Sequence, residues 1–167
     1  KRLLPGLLFL LVSLFFMLLL TACGPDIIYE HTEELPEAGW DYDRELSYEF
    51  EIADTSNLYR LELLLTHAPD FPRQNLYVKL YTTFPDGREL DELVSLELAN
   101  KAGVWFGDCG KEWCELIIPI QTEAYFDQPG TYQLRIEQYT RINPLPAVGR
   151  FTFRVIDTGK TVGGTEK

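Results

Sequence analysis

The chain has 167 residues, with 26 acidic and 15 basic side chains and a net charge of −11. A protein that binds nucleic acid, or an anionic membrane surface by charge, needs a basic patch, and this composition provides none. The length suits a single domain, which at this size buries about two-thirds of the surface of its unfolded chain.

Residues 1–22 are predicted to be an export signal. Lys1 and Arg2 precede the apolar run 3–20, and a basic start followed by an apolar stretch is typical of a secretory signal peptide. A transmembrane helix is the alternative. However, segment 7–22 has 16 residues and would span about 24 Å as a helix, whereas the hydrocarbon core of a bilayer is about 30 Å thick.

The tetrapeptide Leu20-Thr21-Ala22-Cys23 ends this run. It resembles the bacterial lipobox, in which a branched apolar residue and two small residues precede a cysteine that receives a diacylglyceryl group. Cys23 is therefore predicted to be lipidated and to anchor the processed chain in the lipid bilayer through its acyl chains. An ordinary cysteine at the end of a hydrophobic helix is the alternative.

Alternation of apolar and polar residues predicts strands over most of the chain after residue 45. The alternating segments are LSYEFEIAD (46–54), LYRLELLLTHA (58–68), NLYVKLYTTF (75–84), TYQLRIEQY (131–139) and GRFTFRVID (149–157). Further strands are predicted for IIYEH, LVSLELA, GVWFGDC and CELIIPI. Pro119, inside the last of these, predicts an edge position or a bulge, and Pro85-Asp86-Gly87 predicts a turn.

These strands predict an all-β fold, an antiparallel two-sheet β-sandwich of the jelly-roll kind. No convincing helix is visible after the signal. The predicted organisation is a signal peptide (1–22), a lipidated N-terminus and linker with a short edge strand (23–45), a β-sandwich domain (46–157) and a disordered tail (158–167) with little apolar content.

Cys109 and Cys114 are separated by four residues, a spacing that suits a hairpin in which the two side chains face each other. Outside the cytoplasm thiols pair readily, so a disulfide is predicted. A bridge over so short a loop stabilises by about 2 kcal/mol in the chain-entropy model. Free thiols and a zinc site are the alternatives, although the two histidines, His31 and His67, are distant in sequence.

The residues that could carry catalysis are few, and no motif for hydrolysis or phosphate binding is present. His67 ends a strand beside a proline turn, which predicts a solvated or capping residue rather than a base. Asp41 and Asp43 are weak candidates for Ca²⁺ ligands or for paired acids. The sequence therefore predicts a protein that is not an enzyme and has no cofactor.

Three tryptophans, Trp40, Trp105 and Trp113, fall in or near predicted loops. They either close the ends of the sandwich or contribute to a surface for a protein partner or a glycan. If Tyr77, Tyr81 and Trp105 formed one exposed flat strip, that arrangement would favour glycan binding.

Several segments in order resemble the GldH family, which are gliding-motility lipoproteins of the Bacteroidota. The matching segments are HAPDFPRQNLYVKLYTTFPDG, LVSLELANKAGVWFGDCG and FDQPGTYQLRIEQYTRINPLPAVGRFTFRV. The motifs match in order and spacing: a Leu-Ala-x-x-x-Gly-x-Trp-x-Gly block, here 98–107, is followed by a Gly-x-Tyr strand (130–132) and by Gln-x-x-Arg (138–141). The cysteine pair 109/114 departs from the family pattern.

The resemblance implies a non-enzymatic, membrane-anchored component or partner of the gliding-motility and type IX secretion machinery, with envelope proteins as partners. A glycan-binding envelope lipoprotein is the alternative function. Trp105, with Gly103 and Gly107 on either side, is the candidate interaction or loop-shaping group, because glycine permits backbone conformations closed to other residues. Anchoring in the outer membrane is expected, on the periplasmic face, since no acidic cluster follows Cys23.

Overall fold

Nine β-strands and no helix form residues 26–164, the part of the chain that this computed structural model describes. The predicted signal peptide and Cys23 lie outside the described residues. The strands are β1 Asp26–Glu34, β2 Leu46–Ile52, β3 Asn57–His67, β4 Asn75–Thr83, β5 Glu89–Glu97, β6 Asp108–Cys109, β7 Cys114–Ala124, β8 Gly130–Gln138 and β9 Val148–Thr161. Within residues 26–164, no helix is long and apolar enough to cross a membrane.

The strands form two antiparallel sheets. The five-stranded sheet has the order β1-β9-β3-β7-β6, and the four-stranded sheet has the order β2-β8-β4-β5. The strands β2 and β8 bury alternate side chains against the other sheet, as a period-two pattern requires. The predicted all-β, two-sheet antiparallel sandwich is thereby confirmed.

An aromatic cluster fills the space between the sheets. Phe50 of β2 stacks on Tyr132 of β8 with ring centroids 5.8 Å apart, and it contacts Phe153 of the opposite sheet at 5.5 Å. Tyr48 is fully buried and its hydroxyl donates to the Phe151 carbonyl oxygen at 3.2 Å. Complete burial of a large apolar side chain stabilises by about 1.5–3 kcal/mol, so this cluster joins the two sheets strongly.

Two predicted boundaries are wrong. β1 pairs with β9 along its whole length, from Asp26–Asp157 to Glu34–Arg150, so it belongs to the sandwich and not to a linker. β9 continues past residue 157 to Thr161, which pairs with Asn57, so at least the first part of the predicted disordered tail is a strand. The edge strand itself was predicted, at IIYEH, but its place in the sandwich and the extension of β9 were not, because backbone pairing at a sheet edge does not need apolar side chains.

Pro119 occupies a bulge, as its position inside an apolar run predicted. It pairs with Glu62 of β3 beside a register shift between Leu61 and Glu62. The missing proline N–H is tolerated there because the ladder is already interrupted.

The sandwich has two ends, which the strand register defines. We call the end where β1 starts at Asp26 the near end, and the opposite end, where β1 finishes at Glu34, the far end. Because all neighbours are antiparallel, the far end also contains the β3–β4 loop (68–74) and the β8–β9 loop (139–147). The candidate site lies there.

Candidate functional site

The predicted Gly-x-Trp-x-Gly block forms a compact turn at the far end rather than a long strand. Asn100 holds the turn, because its side-chain oxygen accepts from the backbone N–H groups of Ala102 and Val104 at 2.9 and 3.0 Å. Trp105 donates from Nε1 to the Pro69 carbonyl oxygen at 3.1 Å. The half-buried Trp105 thus ties this turn to the β3–β4 loop. Only Asp108–Cys109 continues as strand β6.

The two glycines of the block have different surroundings. Both have positive φ, +81° at Gly103 and +77° at Gly107. A Cβ at Gly103 would meet only the Gln74 side chain, at 3.6 Å, whereas a Cβ at Gly107 would overlap the Glu115 carbonyl oxygen and lie 2.7 Å from the Leu116 Cβ. Glycine at 107 therefore allows the block to lie directly against β7.

Cys109 and Cys114 face each other across the β6–β7 hairpin, and a disulfide joins them with an S–S distance of 2.00 Å. Cys114 is fully buried, while Cys109 is exposed. No group of three or more histidine, cysteine or acidic side chains within residues 26–164 is placed to hold a metal ion.

His67 was predicted to be solvated or capping, and that prediction is wrong, because its side chain is fully buried. The ring lies against Trp105, with centroids 4.5 Å apart, and its Nδ1 is 2.9 Å from the Ala68 carbonyl oxygen. Among the described residues Nε2 has no partner. Burial lowers the pKa of His67, an effect that the backbone hydrogen bond partly offsets. Alternation with Leu63 and Leu65 was the sequence signal for its inward position.

A groove of about 770 Å³ opens at the far end, on the outer face of the four-stranded sheet. We call it the far-end groove. Tyr77 of β4 and Tyr139, next to the end of β8, are neighbours in the sheet, because the Tyr139 N–H donates to the Tyr77 carbonyl oxygen at 2.8 Å. Their side chains are 45% and 59% exposed. The core residues Phe71 and Leu145 also border this space.

The β8–β9 loop, which forms one wall of the groove, is held from below by Gln138. The buried Gln138 amide donates to the carbonyl oxygens of Trp40 and Ile142 at 2.9 and 3.2 Å. Its Oε1 accepts from the Thr140 hydroxyl at 2.6 Å. Trp40 is itself fully buried and pairs with Leu145. The wall is therefore held by a network in which the amide group of Gln138 has its hydrogen-bond partners, and we expect the wall to be ordered before a ligand binds.

Two arginines line the far-end groove, Arg73 from the β3–β4 loop and Arg141 from the β8–β9 loop. Every other arginine in residues 26–164 has a carboxylate oxygen within 3.3 Å. In the same part of the chain Arg73 and Arg141 have none. The groove thus has unpaired positive charge in a protein that is acidic overall.

Tyr77, Tyr81 and Trp105 do not form the exposed flat strip that would have favoured glycan binding. Tyr81 donates to Glu137 at 3.0 Å and lies under the Arg135 guanidinium, 4.9 Å from the ring centroid. Trp105 packs on His67 at the far-end loops. Of the three side chains only Tyr77 is exposed.

The structure also places the other candidates from the sequence, the two remaining tryptophans and Asp41. Trp40 is buried and closes the far end, whereas Trp113 is 45% exposed and lies close to Gly149. Asp41 accepts from the Asp43 N–H at 3.3 Å and from the Asn143 amide at 3.3 Å. Asp41 therefore stabilises a turn.

The sequence indicated Arg141 only as part of the Gln-x-x-Arg motif, and it did not indicate Arg73 or Tyr139 as site residues. One signal was available, because segment 138–156 contains no acidic residue in a chain that has 26 of them. A basic residue in such a segment has no sequence neighbour to neutralise it. The proximity of Arg73 to Arg141 depends on two distant loops, and a single sequence does not show it.

Comparison with known proteins gives one family and several structural likenesses. The family model described as GldH lipoprotein matches residues 27–155. A relative from Christiangramia forsetii, named as a gliding motility lipoprotein GldH homolog, is 23% identical over 132 residues, which cover 79% of this chain and 80% of the relative.

Among solved structures, two that show similarity to this chain are carbohydrate-binding modules. One is Xyl-CBM35 in complex with a disaccharide containing glucuronic acid, at a TM-score of 0.33 and 17% identity, covering 87% of this chain and 93% of the module. The other is a family 35 module from Clostridium thermocellum, at 0.32 and 13%, covering 78% and 98%. Likenesses at these scores carry no argument about ligands.

Proposed function

Because the chain belongs to the family of GldH lipoproteins, we propose that it is a non-enzymatic binding component of the gliding-motility machinery, anchored in the cell envelope. The observation that carries this proposal is the family match over residues 27–155. A part in type IX secretion and contacts with envelope proteins belong to the same proposal.

The proposed anchor is the lipidated Cys23, on the periplasmic face of the outer membrane. β1 begins at Asp26, three residues after Cys23. Three extended residues reach at most about 10 Å, so this anchor would hold the near end of the sandwich against the bilayer. The far-end groove would then face away from the membrane.

A binding role, rather than a catalytic one, agrees with the structural roles of the side chains that could carry catalysis. His67 is buried with Nδ1 beside a backbone carbonyl, and Asp41 holds a turn. A general base must reach the proton that it abstracts, and a side chain enclosed as His67 is cannot reach a substrate.

Metabolic labelling with an alkyne fatty acid tests the anchor. The wild-type chain should be labelled, and Cys23→Ser should not. The matched control is the double substitution Cys109→Ser and Cys114→Ser, which removes the other two cysteines and should leave labelling intact. Label retained in Cys23→Ser would exclude this anchor.

Protease treatment of intact cells tests the proposed face. The chain should resist cleavage until the outer membrane is permeabilised. Cleavage in intact cells would place it on the outer surface instead.

Crosslinking in living cells, followed by affinity purification and mass spectrometry, tests the function. Gliding or secretion components should be recovered with the wild-type chain and lost with Cys23→Ser. A strain lacking the gene should spread poorly on agar. Normal spreading, together with recovery of no such component, would contradict the proposal.

A glycan-binding role is the second candidate. The exposed neighbours Tyr77 and Tyr139 favour it, because aromatic rings stack on sugar rings. It counts against this role that Tyr81 and Trp105 do not join Tyr77 in one exposed strip.

A further inference from the structure

We propose that the far-end groove binds an extended peptide segment of a protein partner, one in which a carboxylate lies beside aliphatic or aromatic side chains. This inference rests on the proposed partner-binding function and names the chemistry of the partner. Four features of the groove support it: its unpaired positive charge, its exposed apolar side chains, the hydrogen bonds already made by Asn75 and Thr140, and its preformed wall.

The positive charge of the groove favours an anionic ligand. Arg73 and Arg141 are both exposed and have no carboxylate partner among residues 26–164, while salt bridges occupy the other arginines of that region. A guanidinium group matches a carboxylate with two parallel hydrogen bonds. Two such groups beside one groove make it complementary to an acidic segment.

The exposed apolar side chains of the groove favour a ligand that carries apolar groups as well as an anion. Leu93 of β5 is 53% exposed and adjoins the groove with Tyr77 and Tyr139. Clustered exposed apolar side chains mark interaction sites, and tyrosine and arginine are enriched among the residues that dominate protein interfaces. A ligand that covers these side chains must itself be partly apolar.

A peptide satisfies this surface better than an acidic glycan does. Leu93 and Ile142 offer no hydrogen bond to sugar hydroxyls, which would lose water without compensation. Two of the neutral polar side chains that line the groove already make hydrogen bonds within the protein. Asn75 donates to Ser95 at 3.0 Å, and Thr140 donates to Gln138 at 2.6 Å. Apolar side chains of a peptide need no such partners.

The groove is also suited to capture because its wall is preformed. Gln138 holds the β8–β9 loop from beneath through the carbonyl oxygens of Trp40 and Ile142. A wall that is already ordered loses little conformational freedom on binding.

Fluorescence anisotropy with the purified full-length chain in detergent tests the inference directly. The probes are labelled synthetic peptides of about ten residues. One is rich in leucine, phenylalanine and aspartate, a second has lysine in place of aspartate, and a third has serine in place of the apolar residues. Polygalacturonate serves as the acidic glycan.

The acidic apolar peptide should bind, and raising the salt concentration should weaken its binding. Arg73→Gln with Arg141→Gln should weaken it by about ten-fold or more, the scale of losing charge-assisted hydrogen bonds. The matched control is Lys101→Gln with Lys111→Gln. It removes the same charge from two exposed lysines that do not line the groove, and it should change binding by less than about two-fold.

Three outcomes would overturn the inference. The first is equal binding of the acidic and lysine-containing apolar peptides. The second is the same loss of binding in the lysine variant as in the arginine variant, which would indicate general attraction to charge. The third is binding of polygalacturonate with no binding of any peptide, which would assign the groove to an acidic glycan.

The cellular crosslinking experiment separates this inference from the proposed function. If peptides do not bind but gliding components are still recovered with the wild-type chain, the groove assignment alone is wrong. If the acidic peptide binds, no gliding component is recovered and the strain lacking the gene spreads normally, the proposed function is wrong and the groove assignment stands.

Discussion

Replacing Gly107 by alanine tests the idea that this glycine is needed for close packing and not only for its φ angle. Gly87 provides the matched control. Its φ is +84°, close to the +77° of Gly107, but no atom beyond Gly87 and its two chain neighbours lies within 4 Å of the position its Cβ would take. Both substitutions place an alanine in the left-handed region, while only Gly107→Ala forces a methyl group into β7.

The expected magnitudes follow from these two terms. A residue with a Cβ in the left-handed conformation costs about 1–2 kcal/mol. The clash of the new methyl group with the Glu115 carbonyl and the Leu116 side chain adds about 1–3 kcal/mol, the usual range for overpacking. Gly87→Ala should therefore lower the free energy of unfolding by the first term alone, and Gly107→Ala by the sum.

Urea unfolding followed by tryptophan fluorescence measures the difference, and thermal unfolding gives a second estimate. For a chain of this size each kcal/mol corresponds to about 2–4 °C in Tm. Gly103→Ala should behave like Gly87→Ala, because only the Gln74 side chain adjoins it. If Gly107→Ala and Gly87→Ala agreed within about 0.5 kcal/mol, a difference too small for a clash, the packing argument would be refuted.

Three further predictions concern the far end. The free energy of unfolding should decrease as the pH drops below about 6.5, the ordinary histidine pKa. The reason is that burial lowers the pKa of His67, so that only the unfolded chain takes up its proton there; urea unfolding against pH should show a shallower slope for His67→Phe. Reducing the disulfide, or replacing Cys109 and Cys114 by alanine, should lower the free energy of unfolding by about 2 kcal/mol. The two treatments should agree in chemical denaturation, and no change on reduction would contradict the prediction. Gln138→Leu removes one of the two donors from each of the carbonyl oxygens of Trp40 and Ile142, and it should lower the free energy of unfolding by about 0.5–1.5 kcal/mol. Hydrogen exchange should then accelerate in the β8–β9 loop but not in β2, and uniform acceleration would mean that the network does not hold the loop specifically.

The alternating strands were predictable because one face of such a strand packs on the core along its length while the other face meets water. In β2, Leu46, Tyr48, Phe50 and Ile52 are all buried while the residues between them are exposed. Such a pattern survives in a single sequence, since one face meets the core and the other meets water. The two-sheet sandwich follows from several such strands.

β1 and the end of β9 were harder to predict, because these segments are ordered by backbone pairing with neighbouring strands and not by an alternating apolar pattern. Most β1 side chains are exposed, so its sequence has no strong period. Thr158 at the end of β9 is held by a hydrogen bond from its hydroxyl to the Leu58 carbonyl oxygen, at 2.6 Å. The sequence around a residue does not show a partner 100 positions away.

The candidate site was only partly predictable. The block around Trp105 was visible as a motif, and its glycines indicated a turn. The far-end groove was not visible, because Arg73, Leu93 and Arg141 come from separate segments that only the strand register brings together. Their lack of carboxylate partners is a property of three-dimensional placement.

The pairing of β1 also has a mechanical consequence. In the proposed arrangement, tension from a membrane tether enters the domain at Asp26, while a partner in the far-end groove pulls from the opposite end. This load runs along β1, and the hydrogen bonds to β9 lie across it. The rungs from Asp26–Asp157 to Glu34–Arg150 are therefore sheared together. A tether at the Glu34 end would instead peel them one at a time, so the observed polarity favours a domain that resists force.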